Sequence, residues 1–241
     1  MKVVLLPGMD GTGELLLPLV DDLCERGHDA QTITYSHEAP QSYAELIEDV
    51  VLPALPESEP FVLMGESFSG PIALALAQRA IPGLVGLVLV VTFAEPPDNI
   101  LLSLTRVLPV KWILSAPIPC WVAHKVMLSG QPVKGDQDAL CRVIKMVQPA
   151  VLSERLREVR ELRLAKKPID IPAIYIRAAD DQLLPADAVD GVKAIVPAVK
   201  VHDVPGPHLV LDTAPDICAR LIDEFVRTLQ PDEPRATAGA A

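Results

Sequence analysis

The sequence predicts an α/β architecture, a mostly parallel sheet of about six strands flanked by helices, on three observations. Short apolar runs of β type alternate along the chain with segments of helical periodicity. Those runs are continuously hydrophobic rather than alternating, as strands covered on both faces must be. One of them, Phe61-Val62-Leu63-Met64, turns straight into the helical run Pro71-Ile72-Ala73-Leu74-Ala75-Leu76-Ala77 through the six residues Gly65-Glu66-Ser67-Phe68-Ser69-Gly70.

Taken in order, strands are expected at 2–6, 31–35, 60–64, 86–92, 172–178 and 198–204, and helices near 13–26, 42–54, 68–80, 186–196 and 215–229. The first strand, Val3-Val4-Leu5-Leu6, meets Pro7-Gly8 at once and is too short an apolar run for a signal peptide. Residues 97–166 break the alternation: prolines at 109, 117, 119, 132 and 149 cut them into short helical pieces rich in Leu, Val, Trp and Met. A charged helix, Ser153 to Arg160, closes the stretch. Compact domains rarely carry roughly 70 residues between adjacent strands without a purpose, so 97–166 is read as a helical cap over the sheet's C-terminal edge, where open α/β sheets bind ligands. The core is then 1–96 with 167–230, and the Pro/Ala/Gly-rich tail 231–241 is expected to be disordered.

Composition narrows the function classes. The chain has 241 residues, 50% of them hydrophobic, enough for one large core with an appendage. Its net charge of −11 argues against nucleic acid and anionic membrane surfaces as partners. The longest uncharged stretch near the middle is interrupted by Pro117 and Pro119 and is too short to span a bilayer. Four cysteines without metal-like spacing (Cys24, Cys120, Cys141, Cys218) suggest free thiols in a reducing compartment, so a cytoplasmic protein with no metal is expected.

The chemistry centres on Ser67. A serine at the apex of a strand-to-helix turn is lifted above the end of the sheet, and small residues two before and two after it, Gly65 and Ser69, leave room for the turn. The helix N-terminus supplies free N–H groups, of which Phe68's is one oxyanion donor. The glycine-rich loop Pro7-Gly8-Met9-Asp10-Gly11-Thr12-Gly13 after the first strand offers the Met9 amide as the second. That loop lacks both the G-K-[ST] ending of a phosphate-binding loop and the spacing of a dinucleotide fingerprint. A serine needs a base. Of five histidines, His28 reads as a surface turn residue, His37 and His124 lie in a loop and in the cap, and His202 sits inside a strand. His208 lies in Val204-Pro205-Gly206-Pro207-His208, a loop stiffened by prolines that leaves the last strand at the edge bearing Ser67, and is the expected base. The acid is Asp180 or Asp181, after the strand ending at Arg177.

With these pieces in the order Ser, Asp, His, the chain resembles the α/β-hydrolase superfamily over residues 1–230, and within it serine esterase, lipase and thioesterase-type members. The segment Ala178 to Pro185 is similar to that family's G-x-x-D-x-x-V-P motif, which places the acid on Asp181. Pro207-His208 is similar to its histidine loop, and Pro7-Gly8-Met9 to its oxyanion loop. Ser69 for glycine, Pro7 for histidine and Ala178 for glycine depart from the pattern. The resemblance implies a sheet lacking the family's first two strands. It also implies a serine carboxylester hydrolase without a cofactor, acting on a small-molecule ester through an acyl-enzyme. The apolar bias of 100–128 suggests an uncharged acyl group, with Leu101, Leu102, Leu104, Trp112, Ile113, Trp121 and Met127 as candidate lining. An acyltransferase or thioesterase with the same triad is the alternative, though no basic cluster is evident for coenzyme A phosphates. A slow-turnover ligand receptor is the third reading.

Overall fold

The computed structural model describes residues 1–97, 120–133, 136 and 138–230. The expected tail 231–241 and the candidate lining residues from Leu101 to Ile113 lie outside them. Six strands, β1 (Lys2–Leu6), β2 (Asp29–Thr32), β3 (Phe61–Glu66), β4 (Leu84–Val90), β5 (Ala173–Ala178) and β6 (Lys200–Val204), form one sheet in the order β2-β1-β3-β4-β5-β6. Every neighbouring pair is parallel.

The central strands are buried along nearly their whole length, β3 at all six positions, which explains their uninterrupted hydrophobicity. Their side chains still divide by parity. Val4, Leu6, Leu63 and Leu89 enter one layer with α2 (a helical stretch of Tyr43–Glu45, π-helical Leu46–Val51 and Leu52–Ala54), α3 (Gly70–Gln78) and, further along the chain, a helix over Ala188–Ile195. Val3, Leu5, Met64 and Val88 enter the other with α1 (Leu17–Glu25) and a last helix over Pro215–Thr228. Between these lie α4 (Cys120–Met127), α5 (Ala139–Met146) and α6 (Pro149–Glu161), after which come α7 (Ala188–Ile195), α8 (Val210–Thr213) and α9 (Pro215–Thr228). No helix among the described residues is long and apolar enough to cross a membrane.

Strand β2 stops at Thr32, not at 35. The apolar Ile33 and Tyr35 that suggested the longer strand are buried instead in the core beneath the chain as it leaves the sheet edge. His28 is not a surface residue: it is 6% exposed and its Nε2 lies 2.7 Å from Asp223 of α9.

The order places β2 on one side of β1 and β3 on the other, so the chain reverses direction across the sheet between them. Loops leaving the C-terminal ends of β1 and β3 flank the crevice that this reversal opens. They are Pro7–Gly13 and the turn bearing Ser67. The registers Leu6↔Gly65 and Glu66↔Val90 set those loops side by side.

Candidate active site

Ser67 follows β3 directly, with φ of 45°, a left-handed conformation that a side-chain-bearing residue adopts only under constraint. Two features impose it. A Cβ on Gly65 would stand 2.8 Å from the Ser69 carbonyl oxygen, so only glycine permits the turn there. The Thr92 hydroxyl, beyond β4, donates to the Ser67 carbonyl at 2.5 Å. The Ser67 Oγ then lies 2.9 Å from His208 Nε2, and His208 Nδ1 lies 2.8 Å from Asp181 Oδ2. Asp181, not Asp180, faces the imidazole; Asp180 is exposed. The second oxygen of Asp181 accepts the N–H groups of Leu183 (2.8 Å) and Leu184 (3.0 Å), which fixes the carboxylate in place. Burial pushes this carboxyl upward, but the His208 ring and the two amides outweigh burial and hold it below its ordinary value.

A second carboxyl side lies across the serine. Glu66, 4% exposed, accepts the Gly8 N–H at 3.1 Å and is pushed up to about 8 by burial first and then by Asp10 and Asp212. Asp212, in the short helix α8 after His208, is raised to about 7 by burial and Asp10.

Solved structures of other proteins share the fold of this chain. An esterase from Thermogutta terrifontis superposes with a TM-score of 0.75 at 16% identity, covering 96% of this chain and 91% of that one. The enol-lactonase of Burkholderia xenovorans gives 0.70 at 14% identity, covering 94% and 91%. A serine hydrolase involved in carbazole degradation gives 0.69 at 13% identity, covering 95% and 91%. The chain has the α/β-hydrolase fold. No family model and no curated protein matches the sequence itself.

Against the usual α/β-hydrolase pattern, two of the departures prove to be one feature. The Ser69 hydroxyl donates to the Pro7 carbonyl and also bonds the Tyr35 hydroxyl, 2.8 Å away. The serine that replaces a glycine therefore holds the proline that replaces a histidine. Together with the Gly8–Glu66 bond, this ties the Pro7–Gly13 loop, and with it Met9, to the elbow that carries Phe68. On its far side the loop is held by Arg155 of α6. That side chain is fully buried and donates to the carbonyls of Met9 (2.6 Å), Asp10 (2.7 Å) and Ser36 (2.8 Å). Sequence reasoning passed over it. The signal was present, because Val151, Arg155 and Val159, four apart, form the buried stripe of α6, and an arginine in an apolar stripe asks for a buried partner.

The described part of the 97–166 insertion touches the site. Helices α4 and α5 share a small core with Leu15 and with Leu209, the residue after His208, and Leu209 donates to the Met127 carbonyl at 3.2 Å. Of the candidate lining residues described, Met127 is half-buried and Trp121 is 69% exposed. A cleft of about 300 Å³ lined by Val91, Tyr175, Arg177, Leu184 and Asp203 reaches Asp181 but not Ser67.

Among the described residues, Cys120, His124 and Cys141 are the group whose donor atoms lie close enough to hold a metal, within 4.8 Å. Yet the two cysteines, with Cα atoms 5.5 Å apart, are joined as a disulfide, and a sulfur so bonded is no thiolate ligand. The expectation of four free thiols is corrected to two, Cys24 and Cys218. Such pairing is more usual in oxidising compartments.

Proposed function

We propose that the protein is a serine carboxylester hydrolase acting on small-molecule esters through an acyl-enzyme, with Ser67 as nucleophile, His208 as base and Asp181 as the acid that orients it. The observation that carries this is the unbroken chain of short contacts from Ser67 Oγ to His208 Nε2 and from His208 Nδ1 to Asp181. With the imidazole proton on Nδ1, donated to Asp181, the Nε2 lone pair receives the Ser67 proton as Oγ attacks the ester carbonyl. The tetrahedral oxyanion is bound by the Met9 and Phe68 amides. Collapse expels the alcohol, which takes the proton from Nε2. Water then repeats the cycle, giving its proton to His208 and its oxygen to the acyl carbon, and Ser67 leaves with the proton restored.

In this reading the insertion 97–166 is the cap, and its apolar side chains select an uncharged acyl group. The reaction draws on no metal or organic cofactor. The test is burst kinetics on p-nitrophenyl esters of graded chain length, wild type against Ser67→Ala, with and without an added alcohol. A burst of one product per chain followed by steady turnover, both lost in the variant, is expected. Turnover that survives in Ser67→Ala refutes the reading. Alcohol-dependent ester product in place of acid would move it to acyl transfer.

A further inference from the structure

Both residues offered as oxyanion donors, Met9 and Phe68, are gripped by a single helix that belongs to neither of their loops. Arg155, on α6, holds the carbonyls of Met9 and Asp10 with one guanidinium nitrogen and that of Ser36 with the other. One turn later on the same helix, Glu158 accepts the Tyr43 N–H at 2.7 Å, and the Tyr43 hydroxyl donates to the Phe68 carbonyl at 2.9 Å. The Tyr43 ring stacks on Phe68 with centroids 4.7 Å apart and planes 20° from parallel. The Arg155 guanidinium carbon stands 5.8 Å from the centre of the Phe68 ring. Gly11 makes room for this insertion: with φ of 72°, it would put a Cβ 2.7 Å from the guanidinium nitrogens.

We propose that Arg155 and Glu158 are positioning residues for the oxyanion hole, Arg155 setting the loop that carries the Met9 amide and Glu158, through Tyr43, setting Phe68. The inference rests on the hydrolase reading above. It follows from the cost of the arrangement. A buried guanidinium that faces three neutral carbonyls recovers its lost hydration only if those carbonyls keep their places, so the charge and the loop geometry enforce each other. A pinned carbonyl fixes its own peptide plane, which carries the next residue's N–H. The Met9 and Phe68 amides are therefore held from the C-terminal side by these grips, and from the other side by the Gly11 N–H on the Gly8 carbonyl and the Thr92 hydroxyl on the Ser67 carbonyl. Because catalysis by a hydrogen-bonding hole depends on donors fixed before charge develops, releasing either grip lowers the rate of the chemical step more than it weakens substrate binding. The helix closes the insertion, so this described part of the proposed cap bears directly on the proposed hole.

The test compares each ester with its thionoester, in which sulfur replaces the carbonyl oxygen. Sulfur is larger and accepts hydrogen bonds weakly, so a thionoester draws little from an N–H hole. Arg155→Met and Tyr43→Phe, the latter deleting one hydroxyl while keeping the ring stack, are measured beside wild type and Ser67→Ala, with thermal melts as the check on folding. Expected is a fall in kcat on the oxoester of about 10²-fold for Arg155→Met, with KM little changed, because small misplacement of catalytic groups costs that much. A smaller fall is expected for Tyr43→Phe. The thionoester rate moves far less in both, so the preference for oxygen over sulfur collapses. Equal losses on the two esters, or a wild-type kcat in the Tyr43→Phe enzyme, would overturn the inference. Should Arg155→Met not fold, Arg155→Lys takes its place, since it keeps the charge but cannot reach three carbonyls as a fork. Undiminished turnover by Ser67→Ala would instead remove the hydrolase reading, and this inference with it.

Discussion

Two carboxyl groups flank Ser67, and the protein treats them in opposite ways. On one side Asp181 has a ring nitrogen and two amides aimed at its oxygens and stays below its ordinary pKa despite burial. On the other, Glu66 has one amide and two acidic neighbours and is lifted to about 8. Both lie at the C-terminal edge of one sheet, Glu66 ending β3 and Asp181 following β5, with β4 between those strands. What separates them is the count of donors that burial leaves each one, which is the general rule for tuned carboxyls. The Asp181 side is built to carry a charge. The Glu66 side is built to stay neutral and to hold the Pro7–Gly13 loop as a tether.

The largest effect should come from breaking the charged side. Asp181→Asn is expected to lower kcat about 10⁴-fold while leaving the fold intact, since the amide stabilises the wrong imidazole tautomer and no developing cation. Steady-state kinetics with a circular dichroism control would measure it, and a loss of less than tenfold would remove Asp181 from its role.

The neutral side should report through stability instead. The native state keeps a proton on Glu66 that the unfolded chain loses near a carboxylate's ordinary pKa of 4.5, so the native state binds more protons above that pH. Stability therefore falls as pH rises from about 4.5 to about 8, by up to roughly 1.4 kcal/mol per pH unit for a single group. Glu66→Gln should flatten the fall, leaving the share of Asp212, and urea unfolding midpoints from pH 4 to 9 would show it. Parallel slopes in the two proteins would mean that Glu66 is ionised in the native state.

Smaller still is Ser69→Ala, which strands the buried Pro7 carbonyl and the Tyr35 hydroxyl. A loss of about 1–3 kcal/mol is expected, read as a lowered unfolding midpoint; an unchanged midpoint would mean that the tether between the loops does not hold. Least affected should be Arg157→Ala. Its side chain pairs with Glu154, Glu158 and Glu161 but is 44% exposed, and such solvent-screened pairs add little to stability. Arg155 and Arg157 thus occupy one helix with opposite weight, and a comparable effect from both would erase that contrast.

The same contrast explains what the sequence could tell. Ser67, His208 and the pair Asp180-Asp181 could be set at one edge because each lies in a loop leaving a strand whose apolar run is unmistakable, and parallel strands bring such loops together. The choice of Asp181 came from the resemblance of Ala178 to Pro185 to a family motif. Strand positions held within a few residues for the buried strands and slipped at β2, where an edge strand's ending depends on how the chain turns away and not on its own residues. The spacing of Arg155 with Val151 and Val159 was outweighed by the run of charges from Glu154 to Glu161, which reads as a solvated face, and its partner Met9 is 146 residues away. The coupling of Ser69 to Pro7 spans 62 positions and looked like two unrelated departures. His28 with Asp223 and Cys120 with Cys141 are pairings of the same kind: local pattern marks the residue, but only the folded chain supplies its partner.

The most direct measurement is to quench the enzyme during turnover of a slowly deacylating ester and locate the adduct by mass spectrometry. One acyl group per chain on the peptide containing Ser67, absent from Ser67→Ala and accumulating more slowly in Asp181→Asn, is the predicted result. Hydrolysis with no adduct, or an acyl group carried by another residue, would contradict the account.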